Sequence, residues 1–244
     1  MRGSRLILEH AERATQPPRY MPTGREADIM QGAPVISRDC DAHLHINRYG
    51  NFLLTEAIRP GPNLPVVPRE GYRFGVYRDA RAKFRIPVLS AAVSGEKLFD
   101  LFLALLEPLG DEVDVILETS HRNRNGRHRD LRREGIDRPV LASYCCEFED
   151  LLLNDGCTGI AVMSARRPLE IQFDEHKILV VYARKMKPFR QIIRSFGLRR
   201  DDDMKFLSEA EHLHGTEPHY YSQFRDLAMR LGAGKLATVG SDEG

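Results

Sequence analysis

Tryptophan is absent from the chain, cysteine occurs only four times in 244 residues, and no lysine precedes Lys83. Each shortage excludes something. Cys40, Cys145, Cys146 and Cys157 show no C-x-x-C and no zinc-finger spacing, so neither a disulfide framework nor a sulfur-ligated zinc is expected. Cys145 and Cys146 are neighbours on a predicted helix and cannot readily pair with each other. The thiols read as reduced, which fits a cytoplasmic setting. Long apolar runs are missing as well. The longest, from Leu101 to Leu106, has six residues, where a membrane span needs about 20. The opening decapeptide holds three consecutive apolar residues, too few for a signal-peptide core. No membrane partner is expected. Glycine-rich phosphate loops of the G-x-G-x-x-G and G-x-x-x-x-G-K kinds do not occur, and no cofactor is expected.

Charge is nearly balanced at +1, so nucleic acid is not expected as a partner unless a local patch attracts it. Arginine outnumbers lysine 29 to 7. Spread over the whole chain, that bias is composition and not a site. Hydrophobic residues make up 42% and charged residues 29%, enough to bury a core without staples.

Eight of the 14 prolines fall in the first 70 residues. Proline fixes φ and removes a donor, so residues 1–70 are expected to form an irregular or partly disordered arm. Residues 71–232 are expected to form one α/β core, and 233–244 a disordered tail. Residues 72–77, 86–93, 113–118 and 159–163 read as strands. Residues 169–173 and 178–182 read as the two arms of a hairpin. Helices are expected at 96–106 behind a Ser94 cap, at 140–152, at 188–196, from 201–203 to about His212, and from Pro218 to Leu231. The sum is an α/β (α+β) fold: a mixed sheet of five or six strands with helices on its faces. Its first half is expected to be a βαβ unit, followed by the hairpin and C-terminal helices.

Residues 119–138 stand out as a long Arg-rich segment after a strand end, where open α/β sheets bind ligands. Arg122, Arg124, Arg127 and Arg129 are the candidate anion clamps; the plain alternative is a solvated excursion. Glu118 and His121 at its mouth are the acid–base candidates, although such a pair is more often an ordinary polar strand end. His43 and His45 alternate in a D-x-H-x-H run that puts both imidazoles on one strand face, as metal binding needs. His212 and His214 form a second cluster, expected at a helix end where histidine suits the dipole without a metal. Each cluster alone is more often structural than metal-binding. Three further matches are set aside. Ser94-Gly95-Glu96-Lys97 lacks the companion motifs of serine acylases. Glu175-His176-Lys177 sits on a hairpin turn, where charge is ordinary. Cys145 has no partner histidine. No motif carries a family resemblance.

The first functional reading is a non-enzymatic binding or regulatory protein acting through a protein partner or self-association. Its motive is that a well-patterned core surrounds no complete catalytic constellation; the helix at 96–106, apolar on nearly all sides, also allows a partner or self-association interface, since excess apolar surface must be covered. The alternative is an enzyme or binder for a phosphorylated or anionic ligand at 119–138. The third is a metal-dependent hydrolase using the histidine clusters.

Overall fold

A computed structural model describes residues 45–61, 64, 66–79, 84–121 and 129–235. The histidine His43 and the arginines Arg122, Arg124 and Arg127 lie outside the described residues, as do residues 1–44 of the expected arm and 236–244 of the expected tail. Two short strands, β1 (Arg48–Tyr49) and β2 (Phe52–Leu53), form a hairpin, and β3 (Ile58–Pro60) follows. Then come β4 (Gly71–Asp79), β5 (Phe84–Ala92), α1 (Gly95–Leu106), β6 (Glu112–Thr119) and β7 (Arg129–Asp137). Helices α2 (Arg138–Glu147) and α3 (Glu149–Asn154) lead to β8 (Thr158–Ser164), β9 (Leu169–Phe173) and β10 (Leu179–Ala183). The described residues end with α4 (Lys187–Ser195), β11 (His212–His214), α5 (Pro218–Leu231) and β12 (Gly234–Lys235).

The fold is α+β. Seven long strands and the two-residue β12 make one sheet in the order β12-β7-β6-β8-β9-β10-β5-β4, and every pairing in it is antiparallel. This corrects the expected strand count and the expected βαβ unit. β5 and β6 do run the same way on either side of α1, but β8, β9 and β10 lie between them. The three-strand meander enters the gap, and hairpin pairing replaces parallel pairing.

Register explains where the helices go. Val115, Val162, Ile171, Val181, Leu89 and Phe74 stand opposite one another across the sheet. That face carries the main core, and all five of the described α-helices contribute buried residues to it. The helices therefore gather on one face instead of both. On the other face Ile116, Ala161, Gln172, Val180, Ser90 and Arg73 form the matching row. Phe206 and Met204 pack there against Ile178 and Val180.

Helix α1 buries Leu98, Phe99, Leu101, Phe102, Leu105 and Leu106. At about 1.5–3 kcal/mol for each buried side chain, this helix is a central stabilising element. Its apolar surface is covered within the chain, by the sheet and by α3 and α4. Ser94 holds the N-cap position, but its hydroxyl makes no capping bond. It accepts the Leu53 N–H at 3.0 Å and donates to Glu96 at 3.1 Å, tying β2 to the helix.

Two further expectations change. The single helix expected at 140–152 breaks at Phe148, whose φ of −112° and ψ of 29° separate α2 from α3. The helix expected from 201–203 to His212 does not form. Instead, Asp201 ion-pairs with Arg69 and Asp202 with Arg200, a 3-10 turn spans Leu207–Glu209, and His212–His214 pairs as a strand with β3. Among the described residues no helix is long and apolar enough to cross a membrane.

Candidate metal centre

The site lies where the turn between β9 and β10 meets β11. On β11 the strand alternation puts His212 and His214 on one side and sends Leu213, 45% exposed, to the other. The turn supplies His176. Its shape is set by Asp174, whose carboxylate accepts the Ile178 N–H at 2.8 Å, and by Lys177, a non-glycine residue at φ 61°. A left-handed lysine is an uncommon, strained conformation. It persists here because the Lys177 ammonium is buried and donates to the Thr158 carbonyl at 2.9 Å. Burial pushes the Lys177 pKa down to about 8, against the pull of Asp155, Asp174 and Glu175.

The three imidazoles form a near-equilateral cluster, with ring centroids 4.9–5.0 Å apart. Each has its Nδ1 held by an acceptor. His212 Nδ1 donates to the Ala210 carbonyl at 2.7 Å, His214 Nδ1 to the Gly156 carbonyl at 2.5 Å, and His176 Nδ1 meets the Asp174 carboxylate at 3.3 Å. A carbonyl can only accept, so the proton sits on Nδ1 and the lone pair on Nε2. This outer shell of carbonyl and carboxylate is the arrangement that orients metal-bound histidine. One ring nitrogen from each residue lies within 4.8 Å of the others. His212 Nε2 and His214 Nε2 approach to 3.1 Å. Two imidazole lone pairs at that distance repel unless a proton or a cation lies between them. Nitrogens bound at about 2.0–2.1 Å to one tetrahedral zinc would stand only slightly farther apart.

Electrostatics favour the neutral, ligating form at His214. Burial lowers the His214 pKa, and the positive charge of His176 and His212 lowers it further, against the Gly156 hydrogen bond and Glu175. For His176 burial also pulls downward, but Asp174 and Glu175 outweigh it and the net shift is upward. His176 and His212 are half-buried and His214 is exposed, so three protein ligands leave a side open to solvent.

Close packing of glycines makes the cluster possible. A Cβ on Gly156 would lie 2.3 Å from the Ala57 carbonyl oxygen and 3.1 Å from His214 Cβ. A Cβ on Gly215 would lie 2.1 Å from the Glu56 carbonyl oxygen. Without side chains, residues 155–157 press against β3 and β11, and the Gly156 carbonyl reaches His214.

Beside the centre, Asp155 is fully buried. It accepts from Thr158 at 2.5 Å, Thr216 at 2.6 Å and the Cys157 N–H at 3.3 Å, and it meets His121 Nε2 at 3.3 Å. Burial alone would raise its pKa, but the bonds from His121, Thr158 and Thr216 hold it below the usual carboxylate range. His121 also bonds Thr119 at 2.8 Å and packs on Tyr221 and Phe224. Thr119, His121 and Asp155 follow the order of a nucleophile, base and acid, but the Thr119 hydroxyl is buried and accepts the His121 N–H. Burial raises the Cys157 thiol pKa, which disfavours a thiolate nucleophile. The group is an anchor for the loop that carries Gly156. Its His121, Asp155 and Cys157 could also gather around a metal, yet Asp155 has already spent its lone pairs on protein donors.

Comparison with protein-family models, curated proteins and solved structures found no match.

The structure sorts the candidate residues. His212 and His214 come together, and His176, set aside on a charged turn, completes the cluster. His45 is exposed and joins no metal-ligand cluster among the described residues. Glu118 and His121 separate. His121 turns to Asp155, while Glu118 faces the opposite side of the sheet, near Gly159. There burial, with Asp130, Glu170, Asp174 and Glu175 nearby, pushes the Glu118 pKa up to about 8. The Arg-rich segment is not one loop. Residues 129–137 are β7, paired with β6, and Arg129 is an exposed strand residue opposite Thr119.

Proposed function

We propose that the chain is a metal-dependent hydrolase centred on His176, His212 and His214. The observation that supports this reading is the convergence of three imidazoles whose Nδ1 atoms are each tied to an acceptor. Neutral imidazole ligands suit zinc and its transition-metal neighbours. Three protein ligands with an open side fit the catalytic kind of zinc site, in which the pKa of bound water falls to about 7. His176 and Lys177 also line a small hollow of about 40 Å³ whose other walls are mostly apolar, among them Leu54, Ile58, Val66 and Phe206. An apolar hollow with a few convergent polar groups is where a small substrate group would seat.

Helix α1 lends the partner-binding reading no support, because its apolar surface is covered by the chain's own sheet and helices. The test of the hydrolase reading uses tag-free protein supplied with zinc or manganese and two activated substrates, a p-nitrophenyl ester and a bis-p-nitrophenyl phosphate. Turnover that disappears on chelation and in His212→Ala, but persists in His45→Ala, is expected. Turnover equal in the His212→Ala protein, or none on either substrate with metal bound, would remove the hydrolase reading.

A further inference from the structure

We propose that the exposed surface of α4 and its flanks docks duplex nucleic acid through the phosphate backbone. Residues 176–200 contain eight Lys and Arg and no Asp or Glu. With the whole chain at +1, the remainder carries seven more acidic than basic residues. This stretch therefore holds a concentrated, unmixed excess of positive charge. Lys177 is buried at the turn, and the other seven cations are exposed. Arg200 pairs with Asp202. Among the described residues Lys185, Lys187, Arg190, Arg194 and Arg199 make no ion pair.

For the isolated protein this arrangement is unfavourable. Lys187 is the first residue of α4, at the positive end of the helix dipole, and no acidic residue offsets it in the first turn. Arg190 and Arg194, four residues apart, repel across one helical turn. A face kept only for solubility mixes signs, as α5 does with Arg225, Asp226 and Arg230, the last paired to Glu147. The unmixed face of α4 has a reason only if a polyanion supplies the missing charge.

Lys187, Arg190, Gln191 and Arg194 wall one shallow cleft. At 1.5 Å rise per residue, the cations of this cleft cover about 10 Å along the helix. They are spread in a line, which fits a run of phosphates better than one phosphate group. The same stretch exposes no aromatic residue to stack on unpaired bases. None of the exposed large hydrophobics, Val67, Val76, Val140, Leu213 and Met229, lies in it to enter a bilayer. Phe189 and Ile193, the apolar side of α4, are buried in the core. Backbone recognition of a duplex is what these absences leave. The cleft residues Lys187, Arg190, Gln191 and Arg194 lie outside the histidine cluster, and the proposal does not depend on a metal.

The test is fluorescence anisotropy of a labelled random-sequence duplex titrated with the full chain at several salt concentrations. Vesicles containing phosphatidylserine serve as a competing anionic surface. Two variants are compared, Lys187→Gln/Arg190→Gln/Arg194→Gln and the corresponding triple replacement by Glu, both checked by circular dichroism. The wild type is expected to bind the duplex with affinity falling steeply as salt rises. At about 0.9 per phosphate contact, the Gln variant should lose about 2.7 from the log–log salt slope and bind at least tenfold more weakly at about 0.1 M salt. No duplex binding at low salt, equal binding by the folded variants, or capture by vesicles in preference to the duplex would overturn the proposal.

Discussion

Replacing Glu170 by Gln should stabilise the protein, and only above a definable pH. Glu170 lies on the sheet face opposite the helices, between Met163 and Tyr182 in register, and is 2% exposed. Gln172 donates to its Oε1 at 2.7 Å, while Oε2 is buried with no hydrogen-bond partner. Burial pushes the carboxyl pKa up to about 7, and the Gln172 bond only partly opposes it. The folded-state value thus exceeds the unfolded one. Below the unfolded pKa both states are protonated and there is no penalty. As pH rises toward 7, the unfolded state ionises first and folding loses stability, and the loss is complete above 7. A displacement of this size, at 1.36 kcal/mol per unit, corresponds to about 3 kcal/mol. Gln keeps the shape and the neutral hydrogen bonding while removing the proton. Urea denaturation of wild type and Glu170→Gln should give near-equal stabilities at pH 4. At pH 8 the variant should be more stable by about 3 kcal/mol, or by roughly 6–12 °C in Tm for a chain of this size. A stability difference that does not change between the two pH values would refute the reasoning.

Gly156→Ala should destabilise the fold by about 2 kcal/mol or more, since its Cβ would meet the Ala57 carbonyl at 2.3 Å and backbone must move. It should also weaken metal uptake, because the same carbonyl segment orients His214; a thermal melt and a metal titration check both. Asp155→Asn should cost about 3 kcal/mol by unbalancing a buried hydrogen-bonded group. Because the Asp155 pKa is held down in the folded state, its stabilisation is present above the unfolded carboxyl pKa and fades as pH falls through the folded value. Melts of wild type and variant should therefore converge on acidification.

Much of the fold was legible in hydrophobic periodicity. β4, β5, β6, β8, β9, β10, α1, α4 and α5 all stand within a few residues of their expected places. Periodicity identifies elements but not neighbours, which is why the insertion of β8–β10 between β5 and β6 could not be read. β7 escaped because it is mostly arginine and acid, with Leu131 and Ile136 its only large apolar residues. It is held by pairing to β6 and by the Arg132 pair with Asp114, and it bulges near Gly135, φ 62°, whose N–H bonds Asp114 at 2.9 Å.

The site was half legible. The alternation argument applied to His43 and His45 holds for His212 and His214, because those residues form a strand against β3. A three-residue strand is too short for periodicity to reveal. His176 had a weaker signal: a lone histidine in a hairpin turn becomes a ligand only when the turn's position in space is known. The glycine pair Gly156 and Gly215, each close to a histidine in sequence or space, was the local sign of tight approach.

Metal stoichiometry tests the central claim most directly. Tag-free full chain stripped with chelator is titrated with zinc by calorimetry at pH 7 and again at pH 5, beside His176→Ala and His214→Ala. One zinc per chain at pH 7, weaker binding at pH 5 as the imidazoles protonate, and loss of most binding in each variant is the predicted result. Substoichiometric zinc in the wild type, or undiminished uptake when His176 is removed, would contradict a three-histidine metal centre.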